Sequence, residues 1–444
     1  MSASPEEASR KIENIRKRLN FSKKIYDNVH GYIDITEEER LVIDSPIFQR
    51  LRRVSHLGLA DFVYPGATHS RFSHSIGSLH VMNKIAISLI EDEILEDDDV
   101  SELRLAALLH DVGHYPFSHV LEGTMTNIAG DSAKHEQLGV FVLKETSLGD
   151  SVGKICKLDN IIAILEGKFR EPPLFQYLTS SSLDVDKIDY LQRDSVHTGV
   201  AYGAFDVNRL LSCLEPDRAE EPTLLVVTKK GQQAIEDFLL GRFHMFQSVY
   251  HHKSVVAFEL MLDRIADTLI RNGMLEDLSR IKESIQKDEG WFGDYDDAYV
   301  WQVFKANKFG PSVANQLVRK LLSRDSLKMA DERLQLTESL PTKMMEELAK
   351  DTLPSWLGKQ SGVEPEWIFY KEQPRVTFLE GEPDRTVYIR TEEGIKPIIE
   401  EPTSIIKKIW ESRFKADRIY TRDNASKAKI EAFLKKYKSA KQGK

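Results

Sequence analysis

The sequence has very few cysteines and no long apolar run. Cys156 and Cys213 are its two cysteines, and no C-x-x-C pair is present, so we expect buried, reduced thiols and neither a disulfide nor a cysteine-based zinc site. No apolar stretch approaches the roughly 20 residues that a membrane helix needs. The N-terminus lacks an apolar signal core, so we expect a cytoplasmic protein without a membrane partner. The net charge of -9 does not indicate a general nucleic-acid binder, although a local basic patch would be compatible with one.

The residues that are present follow a mostly α-helical pattern. Charged residues make up 30% and hydrophobic residues 41% of the 444-residue chain, as in soluble globular proteins. Helical periodicity runs from Glu37 to about Gly167 and again from Gly231 to about Arg271, which predicts a bundle of helices.

The chain divides into three predicted parts. These are a charged leader (1–23), a helical core (24–330) and a C-terminal helical and small α/β lobe with a basic tail (331–444). Shorter patterns within them predict a hairpin at Lys24–Ile35, an acidic surface connector at Glu91–Glu102, a loop at 171–182, a hairpin arm at Leu224–Thr228, strands at WIFY, VTFL and VYIRT after Pro365, and a helix near Ser404–Phe414.

One stretch, LAALLHDVGHYPFSH at Leu105–His119, carries the densest chemistry. His110 and His114 lie four residues apart and share a face if one helix contains both, and Pro116 ends or bends that helix. His110 and Asp111 offer a nitrogen and a carboxylate oxygen to one divalent metal. A single histidine at the end of an apolar helix is usually a core or capping residue. Three histidines and an aspartate within ten residues favour a site instead.

Two further stretches complete this pattern. His74 lies upstream in RFSHSIG, and Asp186 lies downstream in LDVDKIDYLQRD. The order His, His-Asp, Asp is the signature of the HD phosphohydrolases, and the chain resembles that family. An HD pair alone is a weak signal, whereas several motifs in the same order are a strong one.

The resemblance is closest to the deoxynucleoside triphosphate (dNTP) triphosphohydrolases, which include the bacterial dGTPase-like proteins and the vertebrate SAM-and-HD-domain enzymes. The matching strings are DSPIFQRLRRVSHLG, YPGATHSRFSHSIG, LLHDVGHYPFSH, KHEQLG, LDVDKIDYLQRD and GRFHMFQSVYHHK. They run from about Lys24 to Lys253, over half the chain. The resemblance implies an HD-domain helical bundle that binds a divalent metal such as Mn, Fe, Mg or Zn. Its implied metal ligands are His74, His110, Asp111 and Asp186.

The resemblance also implies catalytic and substrate-binding residues. His135 matches the family's general acid–base, a role that suits an imidazole because its pKa lies near working pH. Glu122 matches a carboxylate that orients this histidine, and His114 and His119 match residues that face phosphate. The implied contacts to triphosphate and sugar are Arg71, His56, Leu57, Lys187, Tyr190, Asp194, Arg242 and Tyr250. Lys187, Tyr190 and Asp194 share one helix face, and Arg242 and Tyr250 lie eight apart, near one face of another.

Two positions depart from the vertebrate enzyme, which has a glutamine in place of His56 and a histidine in place of Phe246. Both positions touch substrate recognition, so the preferred sugar and base stay open. No SAM domain is apparent before Lys24.

The reaction implied by the resemblance is hydrolysis of a dNTP at its α-phosphorus, giving a deoxynucleoside and inorganic triphosphate. His135 either donates a proton to the leaving 5′-oxygen or takes one from water. Another HD hydrolase is the first alternative, but a (p)ppGpp hydrolase would read HDxxED and a cyclic-dinucleotide phosphodiesterase would carry a GYP-type motif. A non-catalytic nucleotide- or RNA-binding scaffold is the second. Occupancy of every expected metal and acid–base position argues against it.

The resemblance further implies activation by GTP or a dNTP in a homo-oligomer, either a tetramer of paired dimers or a dimer. Asp44, Gln49 and Arg52 match residues that recognise an activating guanine nucleotide, and His252 and Lys253 match contacts to a second nucleotide between subunits. An Asp that accepts from guanine N–H groups beside an Arg that donates to O6 is a sensible pair. The alternative is that Asp44 caps a helix beginning near Pro46 and that Arg50 and Arg52 form ion pairs at the edge of the core.

Overall fold

The computed structural model describes residues 19–91, 95–168, 181–217, 224–335, 352–373, 376–379, 386–410 and 414–442. Within these ranges most residues lie in helices, and the strands form small sheets. The predicted fold class, mostly α with a small α/β C-terminal lobe, is therefore confirmed. The charged leader before Leu19 and most of the predicted loop at 171–182 lie outside the described residues.

The α-helices of the described residues are, in chain order, α1 (Glu37–Ile43), α2 (Pro46–Gln49), α3 (Arg71–Glu91), α4 (Asp97–Leu109), α5 (His119–Ala129), α6 (His135–Glu145), α7 (Ser147–Gly153), α8 (Leu158–Leu165), α9 (Val185–Thr198), α10 (Val207–Leu211), α11 (Gln232–Met245), α12 (Lys253–Arg271), α13 (Leu278–Lys287), α14 (Glu289–Asp294), α15 (Asp297–Ala306), α16 (Val313–Leu322), α17 (Leu353–Ser361), α18 (Ile406–Ile409) and α19 (Asn424–Gln442). Short 3-10 turns occur at Arg50–Arg53, Ala60–Phe62, Gly130–Ala133, Ala201–Gly203, Lys229–Gly231, Pro365–Trp367 and Ile398–Glu400, and a π-helical turn at Phe246–Tyr250.

The strands are β1 (Phe21–Asp27), β2 (Gly31–Thr36), β3 (Leu214–Asp217), β4 (Leu224–Thr228), β5 (Lys328–Gln335), β6 (Ile368–Glu372), β7 (Tyr388–Thr391), β8 (Gly394–Pro397) and β9 (Lys415–Thr421). They form a β1-β2 hairpin, a sheet in the order β3-β4-β7-β8 and a sheet in the order β5-β9-β6. β4 and β7 pair in parallel, whereas the other paired strands are antiparallel. The middle sheet therefore joins the predicted core to the predicted C-terminal lobe.

Both predicted hairpins are confirmed. β1 and β2 pair around a turn that ends at Gly31, whose φ of +74° suits a residue without a Cβ. Leu224–Thr228 pairs with β3 as the predicted arm, and β7 extends it into a sheet.

One local prediction in the C-terminal lobe is wrong and another is met by a short helix. VTFL is not a strand, because Val376 forms only an isolated bridge with Phe414 and the Thr377 hydroxyl bonds locally to the Leu379 carbonyl at 2.5 Å. The helix predicted near Ser404–Phe414 is present as α18, and residues 411–413 of that stretch lie outside the described residues.

The acidic connector is only partly a turn. Helix α4 already begins at Asp97, because the Glu96 N–H donates to Asp99 Oδ2 at 3.1 Å in a capping box. The two cysteines are free thiols, of which Cys213 is buried and Cys156 is partly exposed.

Helix α3 positions the candidate site. Its first half, including Phe72 and Ile76, belongs to one apolar cluster, and its second half, including Val81 and Met82, belongs to another. It packs against α4 on one side and α9 on the other, while α5 packs against α12. The N-terminal half of α3 and the ends of α4 and α9 therefore meet beside the α5–α12 pair.

Candidate active site

The residues after α4 form a tight turn, not a continued helix. Helix α4 ends at Leu109 with His110 as its C-cap, so the prediction that His110 and His114 share a helical face is wrong. The backbone of Gly113 lies against α6, where an added Cβ would come within 2.2 Å of Gly139 N. This close approach between distant segments requires the chain to leave the helical path.

Buried groups from elsewhere in the chain hold this turn. Arg50 is fully buried and donates to the carbonyls of Val112 and His114, at 3.5 and 2.5 Å. Asp297 Oδ1 accepts the N–H of Phe117 at 2.8 Å, which stabilises a residue whose φ is +56°.

The four predicted metal ligands lie close together around His74, which forms one group of ligand atoms with His110 and Asp186 and a second with Asp111 and His56. His74 Nε2 lies 3.2 Å from His110 Nε2, 2.9 Å from Asp186 Oδ1 and 3.7 Å from Asp111 Oδ2. His110 Nε2 is 3.3 Å from Asp111 Oδ1. Helix α3 supplies His74, the turn after α4 supplies the adjacent pair, and the first turn of α9 supplies Asp186. Imidazole nitrogens and carboxylate oxygens that lie this close to one another are suitable ligands for a divalent metal.

The electrostatics of this cluster agree with a cation site. Burial lowers the pKa of His74, but hydrogen bonds to Asp186 and Asp189 outweigh burial and raise that pKa to about 10. Burial opposes ionisation of Asp186 and Asp111, yet neighbouring cationic groups hold both pKa values well below the usual range. The carboxylates are therefore ionised and favour positive charge in the place where a metal would lie.

A second group of side chains surrounds Glu122 on α5. Its Oε1 accepts from the backbone N–H of His135 and lies 2.8 Å from His135 Nδ1, while Oε2 lies 2.9 Å from His119 Nδ1. The ring of His114 stacks on that of His135, with centroids 3.8 Å apart. Burial lowers the pKa of His135, but the hydrogen bond and charge of Glu122 raise it overall. His135 therefore holds a proton more firmly than an isolated imidazole.

Both groups border one cavity of about 700 Å³. Tyr250 donates its hydroxyl to Asp194 Oδ2 at 2.6 Å, and His69 Nε2 lies 2.7 Å from Asp194 Oδ1. Tyr190 lies beside Tyr250, with ring centroids 6.1 Å apart. The predicted site residues that line the cavity are His56, Leu57, Arg71, His110, Asp111, His114, His119, His135, Asp186, Lys187, Tyr190, Asp194 and Tyr250.

The basic residues of the site differ in placement. Arg71 donates Nη1 to Asp111 Oδ2 at 2.8 Å, and Lys187 pairs with Asp184 Oδ2 at 2.8 Å. Both line the cavity. Arg242 is not among the described lining residues; its Nη1 donates to the Thr377 carbonyl at 3.4 Å. The π-helical turn at Phe246–Tyr250 lies between Arg242 and Tyr250, so an α-helical eight-residue spacing does not describe their relation.

The residues predicted to bind an activator lie outside the cavity lining. Gln49 accepts from Arg52 Nε at 2.7 Å, and the Arg52 guanidinium lies 3.5 Å from the centre of the Phe72 ring. Asp44 is exposed and accepts from Arg40 at 2.7 Å. His252 is the N-cap of α12, with Lys253 as the first residue of that helix.

The alternative to activator binding was that Asp44 caps a helix and that Arg50 and Arg52 form ion pairs at the edge of the core. This alternative is wrong for Asp44 and for Arg50. Ser45, not Asp44, is the N-cap of the helix beginning at Pro46, because its hydroxyl accepts the N–H of Phe48 at 3.2 Å. Arg50 binds backbone carbonyls in the core, and no ion pair joins it to another described residue.

Sequence reasoning missed several buried partners of the site, namely His69, which binds Asp194, and Asp189, His30 and Arg193, which lie behind His74. His69, Asp189 and Arg193 all fall inside the matching strings. Their membership of those strings was the signal that could have singled them out. Nothing in the order of the chain indicates which of them would meet.

Comparison with known proteins identifies two regions. Residues 71–194 match the HD domain, and residues 205–369 match the HD associated region. An uncharacterized protein of Methanocaldococcus jannaschii is 39% identical over 257 residues, which is 58% of this chain and 50% of that protein. The uncharacterized protein YwfO of Bacillus subtilis is 30% identical over 296 residues, 65% of this chain and 62% of its own. The chain thus spans half to under two thirds of these relatives.

Relatives with a named activity are more distant. The deoxynucleoside triphosphate triphosphohydrolase SAMHD1 of Gallus gallus is 26% identical over 391 residues, 80% of this chain and 62% of that protein. A crystal structure of a phosphohydrolase from Bacteroides thetaiotaomicron superposes with a TM-score of 0.72 at 26% identity, covering 90% of this chain and all of its own. No helix among the described residues has the length and apolar character of a membrane span.

Proposed function

Since the chain belongs to the HD-domain phosphohydrolase family, we propose that it hydrolyses dNTPs at the α-phosphorus to a deoxynucleoside and inorganic triphosphate. The observation that carries this proposal is the shared cavity. Three of the four predicted metal ligands (His110, Asp111 and Asp186), the carboxylate-paired His135 and the tyrosine–aspartate pair all border it. Its volume of about 700 Å³ is in the usual range for small-molecule sites.

Different residues of the chain would bind the metal, stabilise charge on the phosphate and donate the proton. His74, His110, Asp111 and Asp186 would hold the metal, which when bound polarises phosphate oxygens as a Lewis acid. Arg71 and Lys187 offset negative charge that builds on those oxygens. His135, whose pKa is raised beside Glu122, donates a proton to the 5′-oxygen as water attacks the α-phosphorus and the bond to that oxygen breaks.

Recognition of the sugar is assigned to Tyr250, Asp194, Tyr190 and Leu57. The Tyr250 hydroxyl is held by Asp194 at 2.6 Å, so the ring has a fixed place at the cavity wall. Leu57 lines the same cavity, and a fixed ring under the sugar with Leu57 at its side would leave little room for a 2′-hydroxyl, which favours deoxyribose. Asp194 is an acceptor for a sugar hydroxyl.

Product analysis tests this function. Purified protein is incubated with Mn²⁺ or Mg²⁺ and each of the four dNTPs and four NTPs, and products are separated by chromatography. We expect deoxynucleoside and triphosphate, with slower turnover of NTPs. His135→Ala should lower kcat by on the order of 10²–10⁴, while His244→Ala, at an exposed histidine on α11, should not. Release of pyrophosphate or single phosphate would contradict the proposal, and binding without turnover would favour a scaffold.

The proposed enzyme is a nucleotide-activated homo-oligomer, a tetramer or a dimer. Asp44 and Arg52 are exposed and close to Gln49, as an activator contact requires. Light scattering alongside turnover, with and without GTP, tests this. Arg52→Ala should lose activation and keep metal binding, whereas a fully active monomer indifferent to GTP and dNTP effectors would exclude it.

A further inference from the structure

Behind the metal centre lies a carboxylate that the proposed chemistry does not use. Asp189 is fully buried on α9, one turn after Asp186, and its Oδ2 lies 2.8 Å from His74 Nδ1. Arg193 donates Nε to the same oxygen and Nη2 to Oδ1, both at 2.9 Å. His30 Nε2 lies 2.6 Å from Oδ1. Asp189 therefore has three partners that offer hydrogens, and both of its oxygens are in use.

This arrangement determines which nitrogen of His74 carries hydrogen. Carboxylate oxygens accept hydrogen bonds, and Arg193 donates Nε and Nη2 to the two oxygens of Asp189, one bond to each. His74 Nδ1 must then carry the hydrogen and donate it. With Nδ1 engaged by Asp189, Nε2 is the nitrogen left to bind a metal, and it faces His110 and Asp186.

The contacts continue to the N-terminal hairpin. Arg193 donates Nη1 to Asp27 Oδ2 at 2.8 Å. Asp27 Oδ1 accepts the backbone N–H groups of Val29 and His30, both at 2.9 Å, in the turn between β1 and β2. A continuous series of hydrogen bonds, partly buried at the hairpin turn and buried from Arg193 inward, thus runs through α9 to the predicted metal ligand His74 on α3.

Helix α3 packs closely against this network at Gly77. A Cβ added to Gly77, on the turn after His74, would lie 1.8 Å from Asp189 Oδ1 and 2.4 Å from Arg193 Nη2. The absence of a side chain at Gly77 lets the carboxylate and guanidinium pack directly against the helix that carries the ligand.

We propose that Asp189 is a positioning residue of the metal centre, held by Arg193 and His30, and that the β1–β2 turn thereby sets how tightly the centre holds a divalent ion. The inference rests on the metal site of the proposed function and adds residues to it. Carboxylates that orient ligating histidines commonly change metal affinity about 10–100-fold when removed.

The test measures Mn²⁺ affinity of the full chain directly, by the loss of the free-ion electron paramagnetic resonance signal on titration. Asp189→Asn keeps the shape but removes the charge, and we expect Mn²⁺ to bind about 10–100-fold more weakly. Asp27→Asn and His30→Gln act one step further away and should weaken binding by less, in the same direction. Asp99→Asn is the matched control, because Asp99 is a buried capping carboxylate on α4 outside the network.

A thermal melt of each variant separates positioning from general stability. Weaker Mn²⁺ binding by folded Asp189→Asn, with wild-type affinity in Asp99→Asn, supports the inference. If Asp189→Asn does not fold, His30→Gln decides, since it leaves both Arg193 bonds to Asp189 in place. Wild-type affinity in folded Asp189→Asn, or in His30→Gln when it decides, overturns this inference alone. A wild-type chain that binds no Mn²⁺ overturns the proposed metal centre as well.

Discussion

Replacing Glu122 by Gln should move the pH dependence of turnover without removing His135, the proposed proton donor. Glu122 Oε1 lies 2.8 Å from His135 Nδ1, and the two side chains are 13% and 14% exposed. The substitution keeps the size of the side chain and removes its charge. If His135 donates a proton during the reaction, activity falls on the basic side as His135 loses that proton, so this limb reports its pKa.

The magnitude follows from burial. A carboxylate in contact with a poorly solvated partner shifts that partner's pKa by about 1–3 units, equivalent to roughly 1.4–4 kcal/mol. Burial of His135 opposes its protonation, and Glu122 is the larger of the groups that raise its pKa. We therefore expect the basic limb of kcat/KM to move to lower pH by about 1–3 units in Glu122→Gln.

The chain supplies a matched control at the next residue. Glu136 Oε2 lies 3.6 Å from the same His135 nitrogen, but its side chain is 52% exposed. Exposed pairs contribute about 0–1 kcal/mol, so Glu136→Gln should displace the limb by less than about half a unit. Profiles of kcat/KM from about pH 5.5 to 8.5 at fixed free metal, with circular dichroism to verify folding, make the comparison. An unmoved limb in folded Glu122→Gln, or equal displacement in both variants, would refute this reasoning.

Three further substitutions test other parts of the structure. Changing His110 and Asp111 together to Ala should abolish metal binding and turnover and leave helix content unchanged, as measured by metal titration and circular dichroism; full turnover after chelation and metal add-back would contradict it. Tyr250→Phe removes a 2.6 Å hydrogen bond to Asp194 and should lower kcat/KM for dNTPs about tenfold at unchanged Mn²⁺ affinity; unchanged kcat/KM would exclude the contact. Burial raises the pKa of Glu259 from 4.5 to about 7, so the wild type loses stability as pH rises through this window. In urea unfolding, the free energy of unfolding of Glu259→Gln should rise relative to that of the wild type by about 2 kcal/mol between about pH 5.5 and 8. If the difference between the two free energies does not change with pH, Glu259 is not protonated in the folded protein.

Local patterns in the sequence correctly predicted features that depend on neighbouring residues, such as a hairpin and the face of a helix. Alternation around Gly31 gave the β1–β2 hairpin, and the spacing of Lys187, Tyr190 and Asp194 placed them on a helix that the structure contains. The motif order placed His74 with the pair at 110–111, and the structure brings them together.

Long-range contacts explain where the sequence could not predict the structure. The helix ends before His114 because Gly113 packs against α6, a contact made with residues more than twenty positions away. The π-helical turn before Tyr250 breaks a 3.6-residue period and has no signature in that period. Asp189 was visible as a helix residue, but only the folded chain shows that His74 lies against it.

The buried contacts of Arg50 set a limit on dissection of this protein. The turn that carries Asp111 is held by Arg50 from before the HD domain match at 71–194 and by Asp297 from well after it. Excised alone, that segment would lose both supports and leave the carbonyls of Val112 and His114 without these donors, at a cost of about 1–3 kcal/mol for each buried group left unsatisfied. The boundary of the HD homology is thus not the boundary of a folding unit, since the turn that carries the predicted metal ligands His110 and Asp111 is held from both flanking segments.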